Sequence, residues 1–453
     1  MSGTRDQGNI LGTMPVDRLV LTMSAPIMVS MLVSAVYNLV DSIYVAQVSD
    51  LDFLALSYAY PVQLMMVAFC TGIGVGFNAT FAQRLGEGKG EEANQVACHG
   101  FLFYGLCWLL FLTFALAGAP LFFRLSTGDP AVARAGVEYL TICCGWSIGM
   151  CMQFLTERLL QTTGHPAGFM IVQGSGALLN ILLDPVFIFG LDMGVAGAAI
   201  ATVIGQISGA CIGFFLLWRI RREFSLSFRG FRPSGAISGE MLRIAAPAIV
   251  MQSLSSFMSL GLNQLLTRWS QTAVFVLGVY FKIQTFVFMP IFGVSNGLIP
   301  IVSYNYGARS PGRITRAVRF SLTLAAGAAI GGGAVLALAA SPLLRFCFHA
   351  GAEAVAMGAP ALRMAALAFP VAAVSIILSA SFQSLGRSTL SLLVSLLRQI
   401  VLLLPIAGGF LALAPNLVWL SFLCAEALAC LTAVLCYRLA IRPRIRALEG
   451  DSP

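Results

Sequence analysis

The sequence predicts an all-α integral membrane protein with twelve transmembrane helices, and its composition, its charge spacing and an internal repeat each support this class. Of the 453 residues, 58% are hydrophobic and 10% are charged, whereas a soluble domain has roughly 25% charged residues. The apolar runs are continuous, which excludes the alternating pattern of a membrane β-barrel. The net charge of +8 comes from basic residues between apolar runs, where they orient a membrane protein. Nucleic acid is therefore not an expected partner.

Ionisable residues mark the ends of the predicted spans, each of which needs about 20 apolar residues to cross the hydrocarbon layer as a helix. The uncharged runs lie between Arg18 and Asp41, Asp52 and Arg84, His99 and Arg124, Glu138 and Glu157, His165 and Asp184, Asp192 and Arg219, Arg243 and Arg268, Lys282 and Arg309, Arg319 and Arg345, Arg363 and Arg387, and Arg398 and Glu426, and a twelfth ends near Arg438. With a cytoplasmic amino terminus, twenty Lys and Arg lie inside, Arg158 among them, and five lie outside. The positive-inside rule thus predicts that both termini are cytoplasmic.

The two halves of the chain resemble each other on either side of the polar loop 219–240. LTMSAP, which ends at Pro26, matches LRIAAP, which ends at Pro247. Further along, QTTG at 161–164 matches QSLG at 383–386 at nearly the same offset. An offset kept through separate regions indicates a duplication.

Six spans per half give both halves the same orientation, so the two are predicted to be related by a pseudo-two-fold axis along the membrane normal. The predicted domains are an amino-terminal lobe at 1–220, a cytoplasmic linker at 221–239 and a carboxy-terminal lobe at 240–453. Parallel repeats of this kind are typical of transporters, which bind cargo between the halves.

Two aspartates, Asp41 and Asp184, stand out in the first half because an ionisable group at membrane depth costs at least ~2.5 kcal/mol. The polar residues one helical turn from them, together with a polar pair on the next span, are Tyr37, Asn38, Asn180, Thr202 and Gln206. Pro185 also leaves the carbonyl of Ile181 without its helical donor. This is a cation-binding composition, in which a proton or a sodium ion bridges the two carboxylates. The alternative is that each aspartate lies at a helix end among lipid headgroups.

The second half lacks this chemistry, because Leu262 and Leu404 stand at the positions that repeat Asp41 and Asp184. It offers Lys282, Arg398 and Glu426 instead. Glu426 aligns with Gln206 and either pairs with Arg398 or contacts cargo, and Lys282 either reaches the membrane surface, pairs with an acid or contacts cargo. The substrate-cavity candidates are Asn38, Gln161, Lys282 and Glu426.

Motifs for other chemistry are missing from the sequence. The 11 cysteines contain no CxxC pair, so no disulfide framework or zinc site is predicted, and reduced, buried thiols are expected. No HExxH, GxSxG or phosphate loop occurs, which argues against an enzyme. No cofactor and no metal are expected, apart from sodium at Asp41 and Asp184.

The chain resembles the MATE family, the multidrug and toxic compound extrusion transporters, at 26–41, 161–164, 180–185, 194–206 and 300–307. The resemblance implies a two-lobed V shape that exports lipophilic organic cations in exchange for inward protons or sodium. It also implies a coupling site at Asp41, Asn180, Asp184 and Thr202. Other branches of the family carry acids in the carboxy-terminal lobe, but 248–253 and 369–375 have none here. A multi-pass monomer in the bacterial inner membrane is expected, with small-molecule substrates and lipids as its partners.

Three other functions are weighed against this one. A flippase of lipid-linked saccharides from the same superfamily is the nearest alternative, and it would favour a cationic cavity. A membrane enzyme would need a clustered nucleophile or metal triad. A channel would need no acid-driven alternation.

Overall fold

The computed structural model describes residues 10–46, 50–221 and 226–450 of the chain, without the side chains of 37–43, 45, 46, 50, 53, 449 and 450. These residues form helices and no β-strand, which confirms the predicted class. After a short turn at Ile10–Thr13, the helices are α1 Val16–Ala46, α2 Asp50–Gly86, α3 Gly90–Ser126, α4 Pro130–Gly145, α5 Ile148–Thr162, α6 Pro166–Gly190, α7 Gly194–Arg219, α8 Gly235–Thr267, α9 Gln271–Gly307, α10 Pro311–Cys347, α11 Ala352–Ala366, α12 Phe369–Ser384, α13 Ser388–Leu413 and α14 Leu420–Leu448.

Among the described residues, ten of these helices are each long and apolar enough to cross a membrane. Two further pairs of consecutive helices are long and apolar enough only when the two helices of a pair are taken together. They are α4 with α5, which are bent by 41° at a short break, and α11 with α12, which are bent by 42°. With each pair taken as one span, the described chain has the twelve spans that the sequence predicts. The second bent pair follows the first at the spacing of the sequence repeat and bends by nearly the same angle. The repeat in the sequence is therefore also a repeat in structure.

The charged residues proved to be poor markers of where helices end. Glu157 and Arg158, placed by the sequence at the inner end of the fourth span, lie within α5 and are only 2% and 5% exposed. Gln153 donates a hydrogen bond to Glu157, and Arg158 donates one to Gln161, so both buried side chains have polar partners inside the protein. The assignment of Arg158 to a cytoplasmic loop is thus wrong, and the positive-inside count becomes nineteen against five.

By internal contacts the chain separates into two compact units. Unit 1 contains Val29–Ile249, and unit 2 contains Ile10–Met28 together with the residues from Val250 onward. This division departs from the lobes 1–220 and 240–453 at the start of α1 and at the start of α8. Each of the two helices passes from one unit to the other a few residues after a proline, Pro26 in α1 and Pro247 in α8. Proline allows a helix to bend at such a place.

Ion pairs tie the first turns of these two helices to their units. In unit 2 the Arg316 guanidinium donates two hydrogen bonds to Asp17, at 2.9 and 2.7 Å. In unit 1 Arg84 Nη2 donates to Glu240 Oε2 at 2.7 Å. The Arg84–Glu240 pair is partly buried, whereas the Asp17–Arg316 pair is exposed to solvent and contributes little to stability.

Candidate functional site

Glycines let α6 and α7 approach each other closely inside unit 1. A Cβ atom added to Gly205 of α7 would lie 2.7 Å from the carbonyl oxygen of Gly176 on α6, and one added to Gly176 would lie 2.9 Å from the carbonyl oxygen of Gly205. Only a residue without a side chain fits at such a contact, which is typical of helix packing in membranes. Short polar side chains one turn away on each helix can therefore meet.

Three of the predicted coupling residues meet at this contact. Asn180 and Asp184 lie four residues apart on the same face of α6, and Asn180 Nδ2 donates to Asp184 Oδ1 at 3.2 Å. The same amide nitrogen lies 3.3 Å from Thr202 Oγ1 on α7. Asp184 is 0% exposed and Asn180 is 2% exposed. We call Asn180, Asp184 and Thr202 the α6–α7 site.

The α6–α7 site offers oxygen ligands of three kinds: a carboxylate, an amide carbonyl and a hydroxyl. Asn180 Oδ1 is buried and receives no hydrogen bond from the described residues. An unsatisfied buried acceptor is costly. The amide nitrogen of Asn180 faces Asp184 and Thr202, so a cation shared by all three groups requires the amide to turn its oxygen toward them. Just beyond the site Pro185 leads into a π turn at Val186–Gly190, and π turns are frequent at functional sites.

The other predicted members of the coupling site are only partly described. The side chains of Tyr37, Asn38 and Asp41 lie outside the described residues, and their backbone continues α1. Gln206 lies one turn after Thr202 on α7 and is half-buried. Their part in ion binding stays a prediction.

Gln161, a predicted substrate-cavity residue, is fully buried among polar residues of unit 1, and its part in cargo binding stays a prediction. Its Oε1 accepts hydrogen bonds from Asn78 Nδ2 at 3.1 Å and from Arg158 Nη1 at 3.0 Å. On the same helix Gln153 Nε2 donates to Glu157 Oε1 at 3.0 Å. This buried polar cluster is not apparent from the sequence, in which Glu157 marks the predicted end of a span. The spacing of Gln153 and Glu157, one helical turn apart, was the available signal.

In unit 2 the predicted pair of Arg398 with Glu426 is present. Arg398 Nε lies 3.4 Å from Glu426 Oε1, and the two side chains are 14% and 12% exposed. The second carboxylate oxygen, Glu426 Oε2, is buried and receives no hydrogen bond from any described residue. Lys282 is exposed, and its Nζ lies 5.9 Å from the centre of the Phe348 ring.

The glycine contact under the α6–α7 site gives a direct test. We expect Gly205→Ala to lower the melting temperature and the yield of folded protein, because the new methyl group must push α6 away at a cost of roughly 1–3 kcal/mol. Gly174→Ala on α6 is the matched control, since a Cβ there meets no atom within 4 Å. Thermal unfolding of both purified variants in one detergent makes the comparison. Equal melting temperatures would show that the close contact is not needed.

A family model described as MatE matches the chain twice, at residues 26–186 and at residues 247–407. The two matches begin at Pro26 and Pro247, the same two prolines that the repeat in the sequence aligns. Together the two matches cover more than half of the chain.

Two curated relatives carry names that describe transport. The chain is similar to a "Multidrug export protein MepA" from Staphylococcus aureus, with 25% identity over 300 residues. That alignment covers 65% of this chain and 65% of the relative, so the chain spans just under two thirds of the length of the relative. An "FAD transporter" from Shewanella oneidensis is 23% identical over 329 residues, which are 70% of this chain and 71% of that protein.

Among solved structures, the fold is similar to one described as "Outward-facing conformation of a multidrug resistance MATE family transporter of the MOP superfamily". The TM-score is 0.90 at 25% sequence identity, over 98% of this chain and 99% of the other. The doubled family match, the curated relatives and the fold agree with one another and with the resemblance seen in the sequence. The chain belongs to the MatE family, that of the MATE transporters.

Proposed function

We propose that this protein is a secondary active multidrug efflux antiporter, which exports lipophilic organic cations in exchange for inward protons or sodium by alternating access. The observation that carries the proposal is the α6–α7 site, a buried carboxylate with an amide and a hydroxyl beside it. A buried carboxylate changes charge when it binds a proton or sodium, and a transporter can use that change to select a conformation.

Asp41 completes the coupling site in this proposal. Its repeat position is Leu262, and the repeat position of Asp184 is Leu404. In unit 2 a Cβ added to Gly261, the neighbour of Leu262, would lie 2.7 Å from Leu404 Cδ1. By the repeat relation, the part of α1 that carries Asp41 corresponds to the part of α8 that packs against Leu404, and in this proposal one cation serves both carboxylates.

The cargo follows from the family and the relatives named above. A multidrug exporter and an FAD transporter both move small molecules, which favours such cargo over lipid-linked saccharides. The second carboxylate oxygen of Glu426, which receives no hydrogen bond from the described residues, supports a preference for cations. We propose that the protein acts as a monomer in the inner membrane, with the surrounding lipids as its other partners.

Reconstitution in proteoliposomes tests the proposed function. A fluorescent lipophilic cation such as ethidium is followed under an imposed pH gradient alone, a sodium gradient alone or no gradient, and FAD is tested in parallel as an anionic cargo. Uphill ethidium movement under one of the two ion gradients is the expected result. Ethidium flux that ignores both gradients would contradict antiport, and gradient-driven flux of FAD alone would contradict the cargo class.

The membrane orientation is tested by cysteine labelling in a variant that lacks the exposed thiols of Cys211 and Cys347. We expect an impermeant maleimide to label Gly128→Cys and Gly351→Cys in intact cells, and to leave Ser234→Cys unlabelled until the cells are opened. The physical reason is the excess of Lys and Arg on the side of Ser234. External labelling at Ser234→Cys would reverse the proposed orientation.

A further inference from the structure

Three cysteines from three helices meet in the interior of unit 1. They are Cys70 on α2, Cys107 on α3 and Cys151 on α5, and their Sγ atoms all lie within 4.8 Å of one another. The Sγ atoms of Cys70 and Cys151 are 3.8 Å apart. We call these residues the three-thiol cluster. Nothing in the proposed transport function uses it.

The dimensions of the three-thiol cluster suit a metal ion held by three sulfurs. Metal–sulfur bonds of about 2.3 Å place the sulfurs of a trigonal site ~4.0 Å apart, close to the distance between Cys70 and Cys151. Zinc needs a fourth ligand, and the described residues bring no histidine or carboxylate into this group. Soft ligands without a fourth donor select Cu(I) and related thiophilic ions.

The surroundings of the cluster are apolar and contain further soft groups. All three cysteines are buried in one core with aromatic residues such as Phe77 and Phe111. In the same core the Cys144 thiol donates to Met66 Sδ at 3.5 Å. The Tyr104 hydroxyl, which would be a hard ligand, instead donates to the carbonyl oxygen of Cys70 at 2.9 Å. A dry, sulfur-rich site disfavours hard, strongly hydrated ions.

We propose that the three-thiol cluster binds one soft monovalent cation of the Cu(I) class. In this binding step the thiols lose their protons to solvent and bind the ion as thiolates. The monovalent ion and the Arg158 guanidinium, which lies beside the Tyr104 hydroxyl near Gly74, offset negative charge that an apolar interior would otherwise disfavour. The bound ion joins α2, α3 and α5 at a single point in the core of unit 1.

The test uses the purified full-length protein and Cu(I) itself, with a chromophoric Cu(I) chelator as competitor. We expect the wild type to retain one equivalent of Cu(I), and Cys107→Ala and Cys151→Ala each to bind it at least tenfold more weakly. Cys211→Ser with Cys347→Ser is the matched control, because it removes two exposed thiols and should bind like the wild type. Unchanged retention in Cys107→Ala, or loss of copper in the control variant, would overturn the proposal.

X-ray absorption on copper-loaded wild type decides the matter without any variant, in case the alanine variants fail to fold. Three sulfurs at about 2.3 Å around copper are the expected result. A copper site with nitrogen or oxygen ligands, or a protein that only oxidises to a Cys70–Cys151 disulfide and keeps no metal, would overturn the proposal. Neither measurement depends on transport, so its outcome is independent of the proposed antiport.

Discussion

Asp184→Asn is expected to abolish ion-driven export while leaving the protein folded. Asparagine nearly matches the shape of the side chain and can keep a hydrogen bond with Asn180, but it can bind neither a proton nor sodium by charge. Exchange of one cationic cargo for one entering cation moves no net charge, so the concentration gradient of the ion drives it: a tenfold gradient contributes about 1.4 kcal/mol and sustains roughly a tenfold accumulation. The measurement is uphill flux of a fluorescent cation in proteoliposomes, with downhill exchange without a gradient recorded alongside it.

Asp192→Asn is the matched control for this experiment. Asp192 lies just beyond α6, is exposed and has a φ of 53°, a left-handed conformation that asparagine adopts readily. The variant should export like the wild type. Asp41→Asn should resemble Asp184→Asn, and Asn180→Ala or Thr202→Ala should weaken coupling partially, since each leaves the carboxylate in place. Wild-type drug resistance in cells that express Asp184→Asn at an equal level would refute the assignment.

Much of the α6–α7 site could be predicted because its signals are local. Asn180 and Asp184 are one helical turn apart, and Thr202 lies on the next span, so a helix and a short connection already bring them near each other. The repeat could be read for the same reason, since proline and glutamine positions recur at a nearly constant offset. Leu404 in place of Asp184 then indicated that the two halves differ in function.

The features that the sequence did not reveal depend on packing between distant helices. Cys70, Cys107 and Cys151 belong to three different helices, and no periodicity brings them together. In the sequence Arg158 resembles a charged loop residue. Its burial depends on the acceptor Gln161, which it shares with Asn78 of another helix, α2. The assignment of the first turns of α1 to unit 2 also depends on contacts between distant parts of the chain that no local pattern contains.

Glu426→Gln is expected to change which cargoes are exported and how tightly they bind, while proton or sodium dependence remains. Gln206, at the repeat position of Glu426, shows that the fold accepts an uncharged residue there. Loss of the glutamate charge leaves the Arg398 guanidinium without its ionic partner, at 14% exposure. A largely buried arginine of this kind repels cationic cargo and attracts anionic cargo. We therefore expect affinity for lipophilic cations to fall several-fold and affinity for anions to rise.

Arg398→Gln provides the matched comparison, because it removes the other member of the pair and leaves the Glu426 carboxylate without its cation. Its cargo preference should shift in the opposite direction, toward cations. Both variants, with Asp184→Asn beside them, are measured by ion-driven flux and equilibrium binding for several cationic and anionic dyes. If Glu426→Gln abolished ion dependence for every cargo while binding stayed intact, the coupling site would belong to the second half of the chain. If Glu426→Gln and Arg398→Gln shifted the cargo preference equally and in the same direction, the pair would be structural. The effect would then come from the loss of the ion pair and not from the sign of the charge that remains.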